Sequence, residues 1–134
     1  MLEILYPRRC AVCDEIEVTG KGICPLCKDK VHVAGEPACK KCGKPLVDER
    51  KEFCTDCGKK HHVYTQGKAV FVYEGGIRNS MYRFKYGNKR EYAEFYANAA
   101  VEKYGVWLNK IKAEVLIPIP MYSRCLLYTS PSPR

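Results

Sequence analysis

The sequence predicts two unlike parts: a small cysteine-rich module over residues 1–66, then over 67–124 the opening β-α-α-β segment of an α/β domain with a parallel sheet. Three observations carry this. Eight of the nine cysteines fall in four C-x-x-C pairs before residue 58. Residues 1–66 hold too few large apolar side chains to build a core of their own. From Lys68 onward the chain changes to a β-branched and aromatic run, two stretches of helical periodicity and a second apolar run. A length of 134 residues suits one ordinary domain or two small ones, which excludes a large multidomain enzyme.

The pairs are Cys10-Ala-Val-Cys13, Cys24-Pro-Leu-Cys27, Cys39-Lys-Lys-Cys42 and Cys54-Thr-Asp-Cys57, separated by 10, 11 and 11 residues. This is an internal repeat of two units. Two residues between ligands let both sulfurs reach one tetrahedral ion at about 2.3 Å, and a second such turn completes a closed four-cysteine site. Four turns therefore imply two structural Zn2+ ions. Gly43 and Gly58, which follow two of the turns, are expected to take positive φ and turn backbone N–H groups toward the thiolates.

Other uses of such pairs fit less well. A thioredoxin-like redox pair needs a βαβ setting that this half lacks. The clustered spacing of bacterial ferredoxins and the glycine-rich repeats of DnaJ-type chaperones are both absent. The turns can close sequentially (Cys10, Cys13, Cys24, Cys27, then Cys39, Cys42, Cys54, Cys57) or interleave as a cross-brace. Short loops favour sequential closure, as in a ribbon hairpin. His32, His61 and His62 are spare imidazoles, expected on the surface.

A closed all-cysteine site has no open position for catalysis, so the module reads as a scaffold or binding surface, folded by metal worth on the order of 10 kcal/mol per site. Eight thiolates and two Zn2+ ions lower the formal charge from +8 to +4. Residues 1–66 carry 12 basic and 10 acidic side chains and residues 67–134 carry 11 and 5, so a polyanion surface belongs mainly to the second half. Lys40, Lys41 and Lys44 around the third turn read mainly as a solvated face. No stretch is apolar enough to span a membrane and the N-terminus lacks signal-peptide character, so no membrane insertion and a cytoplasmic location are expected.

In the second half Lys68-Ala-Val-Phe-Val-Tyr-Glu74 reads as a strand ended by Gly75-Gly76. Ile77, Met81 and Phe84 then recur at helical spacing, with Arg78 and Lys85 facing elsewhere and Gly87-Asn88 as the stop. A longer helix covers Glu91 to about Asn109 through Tyr92, Phe95, Tyr96, Ala99, Ala100 and Val101. Glu114-Val-Leu-Ile-Pro-Ile-Pro120 reads as a closing strand. Between the helices, Tyr82-Arg83-Phe84-Lys85-Tyr86-Gly87-Asn88-Lys89-Arg90 interleaves aromatics with bases. That composition can stack and neutralise a nucleotide or single strand, or can simply form the basic face of an amphipathic helix. No P-loop, G-x-G-x-x-G or G-x-S-x-G occurs.

Taken in order, Leu5-Tyr-Pro-Arg-Arg-Cys-Ala-Val-Cys13, Ile23-Cys-Pro-Leu-Cys27, Cys39-Lys-Lys-Cys-Gly-Lys-Pro-Leu46, Tyr73-Glu-Gly-Gly-Ile77, Phe84-Lys-Tyr-Gly87 and Ile117-Pro-Ile-Pro120 resemble the ComF family over residues 1–122. The resemblance implies an N-terminal double zinc ribbon joined to a type I phosphoribosyltransferase-like domain, associated with DNA uptake in natural competence. It places Lys85, Tyr86 and Gly87 near the substrate side and the loop after Pro120, with Tyr122, on the pyrophosphate side. Together, the basic aromatic stretch and the resemblance make Arg83, Lys85, Tyr86, Lys89, Arg90 and Tyr122 candidate contacts for substrate or nucleic acid, with single-stranded DNA and a DNA-uptake helicase or motor as partners.

The sequence departs from the family at Ser123. The family's R-G-[FY]-N-Q stretch is absent, and so is its acidic V-D-D-x-x-T-T-G loop, which holds phosphoribosyl pyrophosphate and Mg2+ in that family. Cys125 to Arg134 instead resembles the translation of a sequencing-library transposase adapter. The expectation is an N-terminal fragment, catalytically inactive by itself, whose Mg2+ and phosphoribosyl pyrophosphate belong only to an intact parent. A non-catalytic zinc-dependent binding module is the other reading. The fragment's second half, with an open apolar edge, is expected to aggregate or pack loosely when isolated.

Overall fold

The computed structural model describes residues 7–117. Its first half is built from two copies of one local design. In the first copy the Cys10 N–H donates to the Glu15 carbonyl at 2.8 Å and the Asp14 N–H to the Cys10 carbonyl at 2.9 Å. In the second, the Cys39 N–H donates to Lys44 and the Gly43 N–H to Cys39, both at 2.8 Å. Each tight turn is flanked by an isolated antiparallel bridge, Arg9 with Ile16 and Ala38 with Pro45. The second cysteine pair of each copy opens a short helix: a 3-10 turn Pro25–Lys30 behind Cys24, and α1, Thr55–Lys59, behind Cys54.

The repeat explains where left-handed backbone is needed. The residue four places after the first cysteine closes the turn, and there Asp14 has φ 69° and Gly43 φ 74°. Gly43 meets the expectation of positive φ. Gly58 does not, because it lies inside α1. Asp14 occupies the left-handed position in the first copy, a conformation that Asp and Asn tolerate better than most residues.

Two longer helices follow, α2 at Gly75–Tyr86 and α3 at Tyr92–Ile111. Both match the periodicity read from the sequence except at Val101, which is exposed. Ile77, Tyr92 and Phe95 are buried, Met81, Phe84 and Tyr96 are half-buried, and Arg78 and Lys85 are exposed. α2 ends on Gly87, whose N–H donates to the Arg83 carbonyl, and α3 ends with Lys112 in the left-handed region.

The predicted strands are not formed as such, and among the described residues the parallel sheet is absent. The run from Lys68 to Glu74 makes one antiparallel bridge, Phe71 with Val33, flanked by hydrogen bonds from Ala34 N–H to Val70 and from Val72 N–H to His32, both at 2.9 Å. The segment therefore pairs with the chain that joins the two cysteine repeats. Gly75-Gly76, read as the end of a strand, instead forms the first turn of α2. At Gly76 a Cβ would stand 2.9 Å from Val12 Cγ1 and 3.0 Å from the Lys30 carbonyl, so the helix lies directly against the first repeat. Residues 114–117 of the second predicted strand are exposed and not in a strand. Its remainder and Tyr122 lie outside the described residues.

One core joins the halves. Ala11 from the first cysteine turn packs with Ile77, Tyr92 and Phe95, and Ile23, Val31, Phe71, Phe84 and Tyr96 surround them. Phe71 stacks on Phe95 at 5.4 Å between ring centroids, and Tyr96 meets Phe71, Phe84 and Phe95 edge-on or tilted. A smaller cluster of Cys10, Val12 and Cys27 lies beside it, so the first set of cysteines is continuous with the apolar interior.

Candidate metal centre

The eight cysteines of the four pairs are free thiols that converge in two quartets, Cys10, Cys13, Cys24, Cys27 and Cys39, Cys42, Cys54, Cys57. Within each quartet all four Sγ atoms lie within 4.8 Å of one another. This is sequential closure; none of these eight cysteines crosses between the quartets.

Four sulfurs at about 2.3 Å from one tetrahedral ion stand about 3.8 Å apart. Cys13 Sγ and Cys24 Sγ are 3.7 Å apart, as are Cys42 Sγ and Cys54 Sγ. Those separations suit a shared ion and are far too long for a disulfide of about 2.05 Å. The residues present thus fit two structural Zn2+ ions, which they would hold as closed all-thiolate sites. Residues 1–58 match the family model of the double zinc ribbon domain. No curated protein and no solved structure matches the chain.

Backbone N–H groups prepare the ribbons for thiolate. Val12 N–H and Cys24 N–H each donate to Cys10 Sγ at 3.4 Å. Burial opposes ionisation of Cys10, but the N–H groups of Cys13, Cys24 and Val12 outweigh it and bring the thiol down to about 7. Cys39, the equivalent residue of the second ribbon, falls to about 6 by the same balance, with donors from Cys42, Cys54 and Lys41. Cys27 and Cys57 are pushed up to about 12, first by burial and then by neighbouring sulfurs. A divalent ion at the centre removes that conflict, because it stabilises all four thiolates together.

His32 and His61 are exposed, while His62 stacks on Tyr64 at 5.2 Å; none of the three joins a quartet. Lys40 and Lys44 pair with Glu52 and Asp56, and Lys41 lies over the Tyr64 ring. Charge around the third turn is thus largely balanced.

The basic aromatic stretch divides in two. Arg83 donates to the Val12 carbonyl and Lys89 pairs with Asp14 at 2.7 Å, so both clamp the helices to the first ribbon. Lys85, Tyr86 and Arg90 are exposed. Tyr86 lines an open groove with Tyr73, Gly75, Arg78, Asn79 and Tyr82. Tyr73 and Tyr82 are each 65% exposed and Tyr86 58%, an unusual amount of aromatic surface, and the Tyr82 and Tyr86 rings are 5.1 Å apart. Sequence reasoning did not single out Tyr73, Arg78 or Asn79 for this surface, although Tyr82 opens the basic aromatic stretch. The signal was available: if Ile77 and Phe84 face inward, the i, i+4 ladder of Arg78, Tyr82 and Tyr86 faces out.

Proposed function

We propose that the chain is the N-terminal part of a ComF-like protein in which a zinc-folded platform presents a stacking surface to single-stranded DNA. The observation that carries the reading is the groove along α2, where exposed tyrosines alternate with Arg78 and Asn79, and Lys85 lies close by in sequence. Aromatic faces accept any base, cationic side chains neutralise phosphates, and the combination is sequence-tolerant. The ordered motifs over residues 1–122 support the family reading and, through it, a link to DNA uptake and to its helicase or motor. Phosphoribosyltransferase-like chemistry rests on that resemblance alone, and Mg2+ and phosphoribosyl pyrophosphate are proposed only for an intact parent.

The test is fluorescence anisotropy of a labelled single-stranded oligonucleotide with the zinc-loaded protein at two salt concentrations. Affinity should fall steeply with salt. The Tyr82→Ala, Tyr86→Ala pair should weaken it by roughly 5- to 150-fold, the equivalent of about 1–3 kcal/mol of lost stacking. Lys85→Glu with Arg90→Glu should weaken it further at low salt. Equal affinity for duplex DNA, or binding indifferent to both sets of changes, would overturn the reading.

A further inference from the structure

We propose that α3 is a splint between the two ribbons and that through it the two zinc sites fill cooperatively. The helix is anchored at two places twelve residues apart, Tyr92 and Tyr104, about 18 Å along its axis. At the first, the Tyr92 hydroxyl donates to Asp14 Oδ1 at 2.6 Å, and Lys89, just before the helix, reaches Asp14 Oδ2 at 2.7 Å. Asp14 follows the ligand Cys13 directly, and its own N–H closes the first cysteine turn. Arg8 adds an ion pair to Glu94 at 3.1 Å.

At the far anchor the ammonium of Lys103 takes the carbonyls of Ala34, Ala69 and Val70, and the Tyr104 hydroxyl donates to Ala69 at 2.8 Å. Residues 67–69 in turn lie on the third cysteine turn, Cys39 to Cys42. The Gly67 N–H donates to the Lys41 carbonyl at 2.6 Å, and a Cβ on Gly43 would stand only 2.7 Å from the Ala69 nitrogen. Ala34, the third carbonyl on Lys103, belongs to the segment that joins the ribbons.

Each anchor thus rests on backbone that one quartet shapes. A cysteine turn without its ion loses the cross-link that fixes that backbone, and the helix end resting on it loses its seat. Docking of α3 is the two-state element that both ions bias, so filling one site prepares the other, and the effect is reciprocal.

Stepwise addition of zinc to the metal-free chain, with native mass spectrometry counting molecules that carry no, one or two ions, tests this. For two sites of equal affinity and a coupling of about tenfold, the one-zinc species at half saturation should be about a quarter of the molecules, against about half for independent ones. The Lys103→Ala, Tyr104→Phe variant keeps all eight ligands and should still bind two ions, with the one-zinc fraction back at about half or above. In Cys57→Ser, the first site should yield its zinc to a competing chelator about tenfold more readily. A one-zinc fraction no lower in the unmodified protein than in the Lys103→Ala, Tyr104→Phe variant would overturn the proposal. So would cooperativity that survives the Lys103 and Tyr104 changes, since the coupling would then run through the segment joining the ribbons.

Discussion

Glu17 shows what single residues contribute beyond the ligands. It is buried, and its carboxylate accepts from the Thr19 N–H and hydroxyl and, at 3.1 Å, from the Gly22 N–H. Burial opposes its ionisation, but these donors outweigh that and hold its pKa below the ordinary value. A depressed carboxylate stabilises the fold fully above the unfolded-state pKa of about 4.3 and loses that contribution only as pH falls through the lower folded value. Glu17→Gln, which puts an amide NH2 where an acceptor is needed, should therefore cost about 1–3 kcal/mol, and by the same amount at pH 6 as at pH 8. Thermal denaturation of the zinc-loaded proteins at both pH values checks this; a penalty that shrinks toward pH 6 would contradict it. Single residues differ sharply in how legible they are. The eight ligands announce themselves by spacing, because thiolates two residues apart can reach one ion and the repeat supplies the second pair. Arg83 and Lys89 read as part of a ligand-facing stripe, yet their partners are the Val12 carbonyl and Asp14, groups some seventy residues away that no local pattern reveals.

Among elements, the helices were legible and the strands were not. A helix satisfies its own backbone, so the spacing of Ile77, Met81 and Phe84, or of Tyr92, Phe95 and Tyr96, is sufficient to locate α2 and α3. A strand exists only with a partner, and the apolar run around Phe71 finds one bridge to the segment joining the ribbons. The same run matters most for its backbone, which passes against Gly43. There φ is 74° and a Cβ would meet Ala69 N at 2.7 Å and Lys68 Cα at 2.8 Å, backbone atoms that cannot rotate away. Gly20 offers the control, with φ 71° and nothing within 4 Å of the added carbon. Gly20→Ala should cost about 1–2 kcal/mol, the penalty of left-handed backbone alone. Gly43→Ala carries that cost and must also push the 67–70 segment off the ribbon, so its melting temperature should fall well below that of Gly20→Ala. Equal shifts would mean the segment moves aside freely.

For the whole molecule, the decisive fact is that the ribbon and the helices share their interior. Ala11, beside two ligands, packs with Ile77, Tyr92 and Phe95, and Cys10 and Cys27 are themselves buried next to that cluster. Counting apolar residues half by half foresees that the ribbon depends on metal, but it misses that the helices depend on the ribbon. An isolated pair of helices draws most of its stability from tertiary packing of an apolar face. Here that packing partner is held by zinc worth on the order of 10 kcal/mol per site, comparable to the entire stability of an ordinary domain. Chelation should therefore melt α2 and α3 together with the ribbons. Followed simultaneously with a zinc-sensitive dye and far-ultraviolet circular dichroism, metal release and loss of helicity should trace coincident curves, and readdition of zinc should restore the helical signal. Helicity that persists after both ions are gone would mean that the core around Tyr92 and Phe95 stands without the ribbon.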